Sequence, residues 1–215
     1  MATDKKRVPL GTILIIAGLA AILAASAIWL YNDMEERRVA EYSRQQAEVL
    51  LNAIAGGVPV DGKTGDRGLV ADARAGDEPF SDILDDLSYV LLDEEAYMGV
   101  LRIPKLNLIL PVNVTWSYPA LKKTPCRYAG TIEKGDIVIA AHNYNTHFGN
   151  INTLAEGDPV IFTDVEGGVY HYYAAYIETV QPSDTYSVVN SAYDLTFFTC
   201  TYGGQARVVV RCLRE

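Results

Sequence analysis

Cys200 ends the run Leu195-Thr196-Phe197-Phe198-Thr199, and Arg207 follows it across Gly203-Gly204. A Gly-Gly pair flanked by strand-like residues is a favoured two-residue hairpin turn. With that turn, Tyr202 faces Gln205, Thr201 faces Ala206 and Cys200 faces Arg207. Opposed residues on an antiparallel pair hold their Cβ atoms about 4.5–5.5 Å apart. The hairpin therefore sets a thiol beside a cation. A neighbouring cation lowers a thiol's pKa, and a guanidinium can aim donors at an oxyanion. The plain alternative makes Cys200 a small core residue and Arg207 an edge charge.

The other two thiols lack this setting. In the same register Cys212 faces Leu195 among Val208, Val210 and Phe197, which makes it a buried structural thiol. Cys126 follows Thr124-Pro125 in a loop-like stretch, and a Cys126–Cys212 disulfide stays open as a possibility. No CxxC is present, so no zinc knuckle or thioredoxin-type dithiol is written here.

Of three histidines, His142 is the candidate acid or base. It follows the apolar run Asp136–Ala141, where a strand buried on both faces must end and a polar loop, Asn143 to Thr146, begins. The alternative is a capping or surface histidine. His147, in the loop, and His171, in a Tyr-rich strand, read as structural or surface residues. The three have no helical spacing and no acidic ligand cluster, which argues against a metal site.

These residues need a rigid frame. From Tyr97 onward the pattern is short strands: Gly99–Ile103, Leu106–Val112, Asp136–Ala141, Val160–Thr163, Val169–Val180, Leu195–Thr199 and Arg207–Leu213. Turn signals such as Lys134-Gly135, Gly157-Asp158 and Gly167-Gly168 separate them, with one short helical stretch at Ile151–Glu156. Seven or eight strands in a mainly β region mean a barrel or a sandwich.

Ahead of the strands, Lys5-Lys6-Arg7 precedes an uncharged run from Val8 to Tyr31, long enough to span a membrane. The basic flank predicts a cytoplasmic N-terminus and an exterior remainder. A cleaved signal peptide is the competing reading, since Ala25-Ser26-Ala27 has the small-x-small form, but Ile28-Trp29-Leu30 continues the apolar run past it. Asn32–Ile54 reads as a stalk helix with a weak stripe of Val39, Tyr42, Val49, Leu50 and Ile54. Gly56–Gly76 reads as a linker, and Ser81 caps a short second helix whose inner side includes Leu87, Val90 and Leu91. The resulting division is a tail at 1–7, an anchor at 8–31, a helical stalk and linker at 32–96, and a β domain at 97–215.

The composition is that of a globular protein, 49% hydrophobic and 21% charged, with net charge −9. Only Asp4, Lys5, Lys6 and Arg7 are charged ahead of the anchor, so the remainder carries about −11. That balance argues against a nucleic-acid partner.

The chain resembles the sortases, membrane-anchored cysteine transpeptidases of mainly Gram-positive bacteria. The resemblance rests on His142-Asn143 after a hydrophobic strand, Phe148-Gly149, Leu154 with Gly157-Asp158, and Leu195–Cys200 with Arg207. Tyr97–Leu106 resembles the first two strands of the sortase barrel, and the likeness covers about Tyr97 to Leu213. It implies a closed barrel of seven to eight strands with short helices, preceded by N-terminal helices and one transmembrane helix. It implies His142, Cys200 and Arg207 as catalytic residues, with Thr199 and the backbone N–H after Cys200 as further oxyanion donors. The implied substrates are secreted proteins with a C-terminal sorting signal, and the implied acceptor is a peptidoglycan precursor or a pilin lysine. A hydrolase and a non-catalytic tethered barrel are the rivals. No cofactor is implied and no metal is carried over.

On subclass, the 58 residues from His142 to Cys200 leave little room for the helical insertion of class B enzymes. No second apolar segment follows Arg211, unlike many class C enzymes. Asp77-Glu78-Pro79-Phe80 resembles the class C Asp-Pro-aromatic lid with Glu78 interposed; a helix-entry turn before Ser81 is the other reading.

Overall fold

The computed structural model describes residues 9–57, 87–93 and 95–215. The basic cluster, the linker beyond Gly57, the lid-like Asp77–Phe80 and the start of the Ser81 helix lie outside the described residues. The chain divides into two compact units at Arg38/Val39.

A single helix, α1, runs Leu10–Gly56. Its part in the first unit is apolar and exposed on all sides as far as Tyr31. At 1.5 Å per residue, Leu10–Tyr31 measures roughly 33 Å, which matches a bilayer core of about 30 Å. One helix long and apolar enough to cross a membrane is thus present among the described residues.

The second unit is a β-barrel. Its strands are β1 (Val90–Leu92), β2 (Glu95–Ile103), β3 (Leu108–Asn113), β4 (Cys126–Ala129), β5 (Ile137–Ala140), β6 (Pro159–Asp164), β7 (Val169–Val180), β8 (Leu195–Cys200) and β9 (Arg207–Arg214). They follow the order β1-β2-β3-β4-β5-β8-β9-β7-β6, and β2 also pairs with β6. That last pairing closes eight strands into a ring and leaves β1 outside it. The seam needs Gly99: a Cβ there would stand 2.3 Å from the Thr163 carbonyl oxygen and 2.7 Å from the Phe162 ring. The expected closed barrel of seven to eight strands is therefore an eight-stranded ring.

Alternation divides each strand between the barrel interior and its outer face. Leu101, Ile103, Ile137, Ile139, Phe162, Leu195, Phe197 and Val210 form the interior core. Outside it, Val138, Val188 and Val209 make one small cluster, and Ala120, Leu121, Cys126 and Ala140 another. The run Ile137–Ala140 is buried at every position, as a strand covered on both faces must be.

From Val39 onward α1 lies on the barrel rather than standing clear of it. Val39, Ser43, Gln46, Ala47 and Leu50 are its buried face, and Val49 points away, 43% exposed. Leu50 packs with Tyr97, Val100 and Val165, and Gln46 donates to Asp93 at 2.7 Å.

Three local expectations change. Val90 and Leu91 belong to strand β1, not a helix, because the free edge of β2 captures them; Asp93 takes a left-handed turn conformation (φ 50°) between the two. Cys126–Ala129 is strand β4, not loop, paired antiparallel with β5 and by one parallel rung with β3. The hairpin after Cys200 keeps the expected register but uses a four-residue loop, Tyr202–Gln205. Gly204 N–H donates to the Thr201 carbonyl, and the Thr201 hydroxyl accepts Ala206 N–H in that carbonyl's stead. Both glycines sit at positive φ (82° and 74°), which other residues rarely adopt.

Candidate active site

β5 and β8 lie side by side and parallel, with Ile137 opposite Leu195 through to Ala140 opposite Phe198. The match continues past the last rung. Ala141 N–H donates to the Phe198 carbonyl at 3.1 Å, and the Thr199 hydroxyl donates to the Ala141 carbonyl at 2.8 Å. His142, just past the end of β5, and Cys200, the last residue of β8, are each two residues beyond the Ala140–Phe198 rung, so they stand at the same level at one end of the sheet.

The antiparallel ladder of β8 and β9 ends on Cys200 opposite Arg207, the predicted pair. Arg207 Nη1 donates to the carbonyls of Ala206 (3.1 Å) and Gly204 (3.3 Å), so the hairpin backbone grips one edge of the guanidinium. Cys200, Arg207 and Thr199 line one groove on the outer face of the barrel, with a volume of about 220 Å³.

Thr199 differs from its expected role. Its side chain is 3% exposed and its hydroxyl proton is given to Ala141, so that hydroxyl ties β8 to β5 and does not point donors at a bound carbonyl.

The loop after β5 holds His142 by packing. Phe148, fully buried against Phe197, returns its N–H to the His142 carbonyl at 3.1 Å. Gly149 allows the return, since a Cβ there would stand 2.7 Å from the Asn143 carbonyl oxygen. The His142 ring lies 5.1 Å from that of Tyr144. Its Nε2 is buried without a hydrogen-bond partner among the described residues. Burial first, and the charge of Lys122 second, hold its pKa below the usual histidine value. In the resting protein its neutral form is favoured at pH 7.

His147 is fully buried, not a surface residue of the loop, and burial lowers its pKa to about 4. His171 is exposed on β7. Neither lines the groove.

The three thiols separate by environment. Cys126 and Cys212 are fully buried, and burial pushes both thiols well above their ordinary pKa. Cys200 is half-buried and opens on the groove. A Cys126–Cys212 disulfide is excluded. β5 and β8 lie between their strands, a separation of roughly 14 Å at the usual strand spacing, where a disulfide needs Cα atoms within about 7 Å. Cys126 also belongs to an outer cluster and Cys212 to the interior.

An aromatic wall escaped the sequence reading. Trp116 meets Tyr118 (5.1 Å) and Tyr128 (5.9 Å) edge-on, and Tyr128 meets Phe198 (5.2 Å). This chain of rings runs from the groove's rim to the strand that carries Cys200. Ser117 and Pro119 were the available signal. Ser117 caps the single turn α2 (Tyr118–Leu121) by accepting Ala120 N–H at 3.1 Å, with a proline in that first turn. The opposite wall comes from Gln181, Pro182, Thr185 and Val188, the last two on the short helix α3 (Thr185–Val189).

A half-exposed thiol, a cation across the strand and a histidine at the neighbouring strand end can together support acyl transfer through a thioester. The family model for the sortase domain matches residues 101–215. Among solved structures, the chain is similar to sortase C1 from Streptococcus agalactiae, at 26% identity and TM-score 0.56, covering 65% of this chain and 78% of that one. It is similar to sortase A from Corynebacterium diphtheriae at 24% identity and TM-score 0.54, covering 84% of each. It is also similar to sortase E1 from Streptomyces coelicolor with a tripeptide in the active site, at 23% identity and TM-score 0.51, covering 55% of this chain and 88% of that one. These matches below 25% identity speak for the fold. No curated protein sequence matches the chain.

Proposed function

The chain belongs to the sortase family of cysteine transpeptidases, and from that premise we propose that it cleaves a C-terminal sorting signal of secreted proteins and transfers the acyl group to an amine. The signal is of the Leu-Pro-x-Thr-Gly type. The observation that supports the reading is the strand register: Cys200 is paired opposite Arg207, and His142, two residues past the end of β5, is level with Cys200 on the neighbouring strand.

Cys200 Sγ attacks the Thr–Gly carbonyl carbon and gives a tetrahedral oxyanion. Arg207 faces that carbon from across the strand and offers its remaining N–H donors to the oxyanion or to the peptide. The thiol proton passes to neutral His142, which hands it to the leaving glycine nitrogen as the C–N bond breaks. An incoming amine then attacks the thioester and His142 takes its proton. The new amide forms, and the Cys200 thiol is restored. Thr199 contributes by holding the two strands in step.

α1 carries the membrane anchor, with Lys5-Lys6-Arg7 on the cytoplasmic side and the barrel outside. The acceptor amine is that of a peptidoglycan precursor or, in pilus assembly, a pilin lysine. The test incubates detergent-solubilised full-length protein with sorting peptides, with and without a glycine amine, and reads the products by mass. An amide to the added amine supports transpeptidation. Release of only the free acid in its presence makes the protein a hydrolase, and unchanged peptide removes the reading.

A further inference from the structure

Arg211 lies four residues beyond Arg207 on the same outer face of β9, yet it is 4% exposed where Arg207 is half-buried. Its Nε and Nη2 both reach Glu178 Oε1 on β7, at 3.0 and 2.8 Å. Its Nη1 donates to the Val188 carbonyl (3.2 Å) and its Nη2 to the Ser187 carbonyl (2.9 Å). Those carbonyls belong to the last turn of α3, where a helix has no partners of its own. Asn190 serves another, its backbone and side-chain nitrogens both donating to the Tyr186 carbonyl. Beside these bonds Val188 is buried with Val138 and Val209. The rest of this wall, Gln181 to Ser187, is exposed.

We propose that Arg211 is a positioning residue that fixes the Gln181–Val188 wall of the groove and thereby sets its fit for the peptide. The proposal rests on the transpeptidase reading of the groove. One planar fork meets a carboxylate on one strand and two carbonyls on a helix end at once. A lysine ammonium keeps the charge but cannot hold all three acceptors in that plane. With the wall loosened, peptide binding weakens while Cys200, Arg207 and His142 stay in place, because the β5, β8 and β9 ladders that carry them do not pass through α3.

The experiment compares full-length wild type, Arg211→Lys and Glu178→Gln in detergent. In Arg211→Lys, KM for a Leu-Pro-x-Thr-Gly peptide rises about tenfold or more, as loss of binding shared by ground and transition states requires. The kcat and the rate of Cys200 alkylation by iodoacetamide stay within about threefold, the pattern of lost binding without lost chemistry. Hydrogen exchange at the Ser187, Val188 and Asn190 amides accelerates, while the β8–β9 ladder keeps its protection. Unchanged KM, or alkylation falling in step with kcat/KM, overturns the proposal. If wild type turns over no peptide, the transpeptidase reading falls, and the exchange pattern alone decides whether Arg211 holds the wall. If Arg211→Lys does not fold, Glu178→Gln removes the counter-charge, keeps an acceptor, and is judged by the same KM and exchange readouts.

Discussion

His142, two residues past the end of β5, stands level with Cys200 at the end of the adjacent parallel strand β8, 58 residues later in the chain. Parallel neighbours cannot be joined by a tight turn, so the long connection between them is a requirement of the arrangement. That connection supplies β6, β7 and the α3 wall of the groove. The connection that separates His142 from Cys200 in the chain thus also builds one wall of the groove.

Cys200→Ala should abolish the acyl-enzyme, whereas Cys126→Ala and Cys212→Ala should still form it. Both other thiols are fully buried and kept protonated by desolvation. Intact-mass measurement after adding a sorting peptide reads the adduct. An adduct that persists in Cys200→Ala refutes the nucleophile.

Arg207→Lys should lose activity despite keeping its charge. Losing one aimed oxyanion donor typically costs about 10²–10³ in rate. Among the described residues Arg207 bonds only hairpin carbonyls, so the melting temperature should move little. Transpeptidation rates and melting curves check both points. A rate within about threefold of wild type, far short of the donor range, would reduce Arg207 to a diffuse field.

Thr199→Val should both destabilise the fold and slow acylation, and Thr199→Ser should do neither. Valine removes the donor to the Ala141 carbonyl and leaves a buried acceptor unpaired, which costs about 1–3 kcal/mol. The carbonyl belongs to the residue before His142, so the loss acts where the base is held. Matched melting curves and acylation rates are the measurement. Equal behaviour of valine and serine would mean the hydroxyl has no such role.

Stability should fall with acid in a window set by His147. Its folded pKa is about 4 against an ordinary 6.5, so between these values the unfolded chain binds more protons. Stability is full above about pH 6.5 and declines to about pH 4, by roughly 3 kcal/mol in all. The lowered pKa of His142 acts in the same direction. Denaturant titrations from pH 7 to 4 on wild type and His147→Gln test this. A slope that survives His147→Gln undiminished would show that other groups set it.

The sequence by itself determined what local rules govern. The Cys200–Arg207 pairing follows from counting back from a glycine turn, and it holds even though the loop has four residues, because the register depends on the sum of paired positions. The apolar runs Asp136–Ala141 and Val8–Tyr31 are each of one character, so they need no partner to be recognised. What the tertiary structure decided depends on contacts across the barrel. Closure of β2 on β6 converts strands into a ring. The β5–β8 pairing sets His142 level with Cys200, a relation that 58 intervening residues do not encode locally. The tertiary structure also turns the Thr199 hydroxyl toward Ala141, takes Val90–Leu92 into an edge strand on β2, buries His147, and lays Arg211 against a helix end. In each of these the neighbour that fixes the side chain comes from a distant part of the chain, and propensity and periodicity carry no information about it.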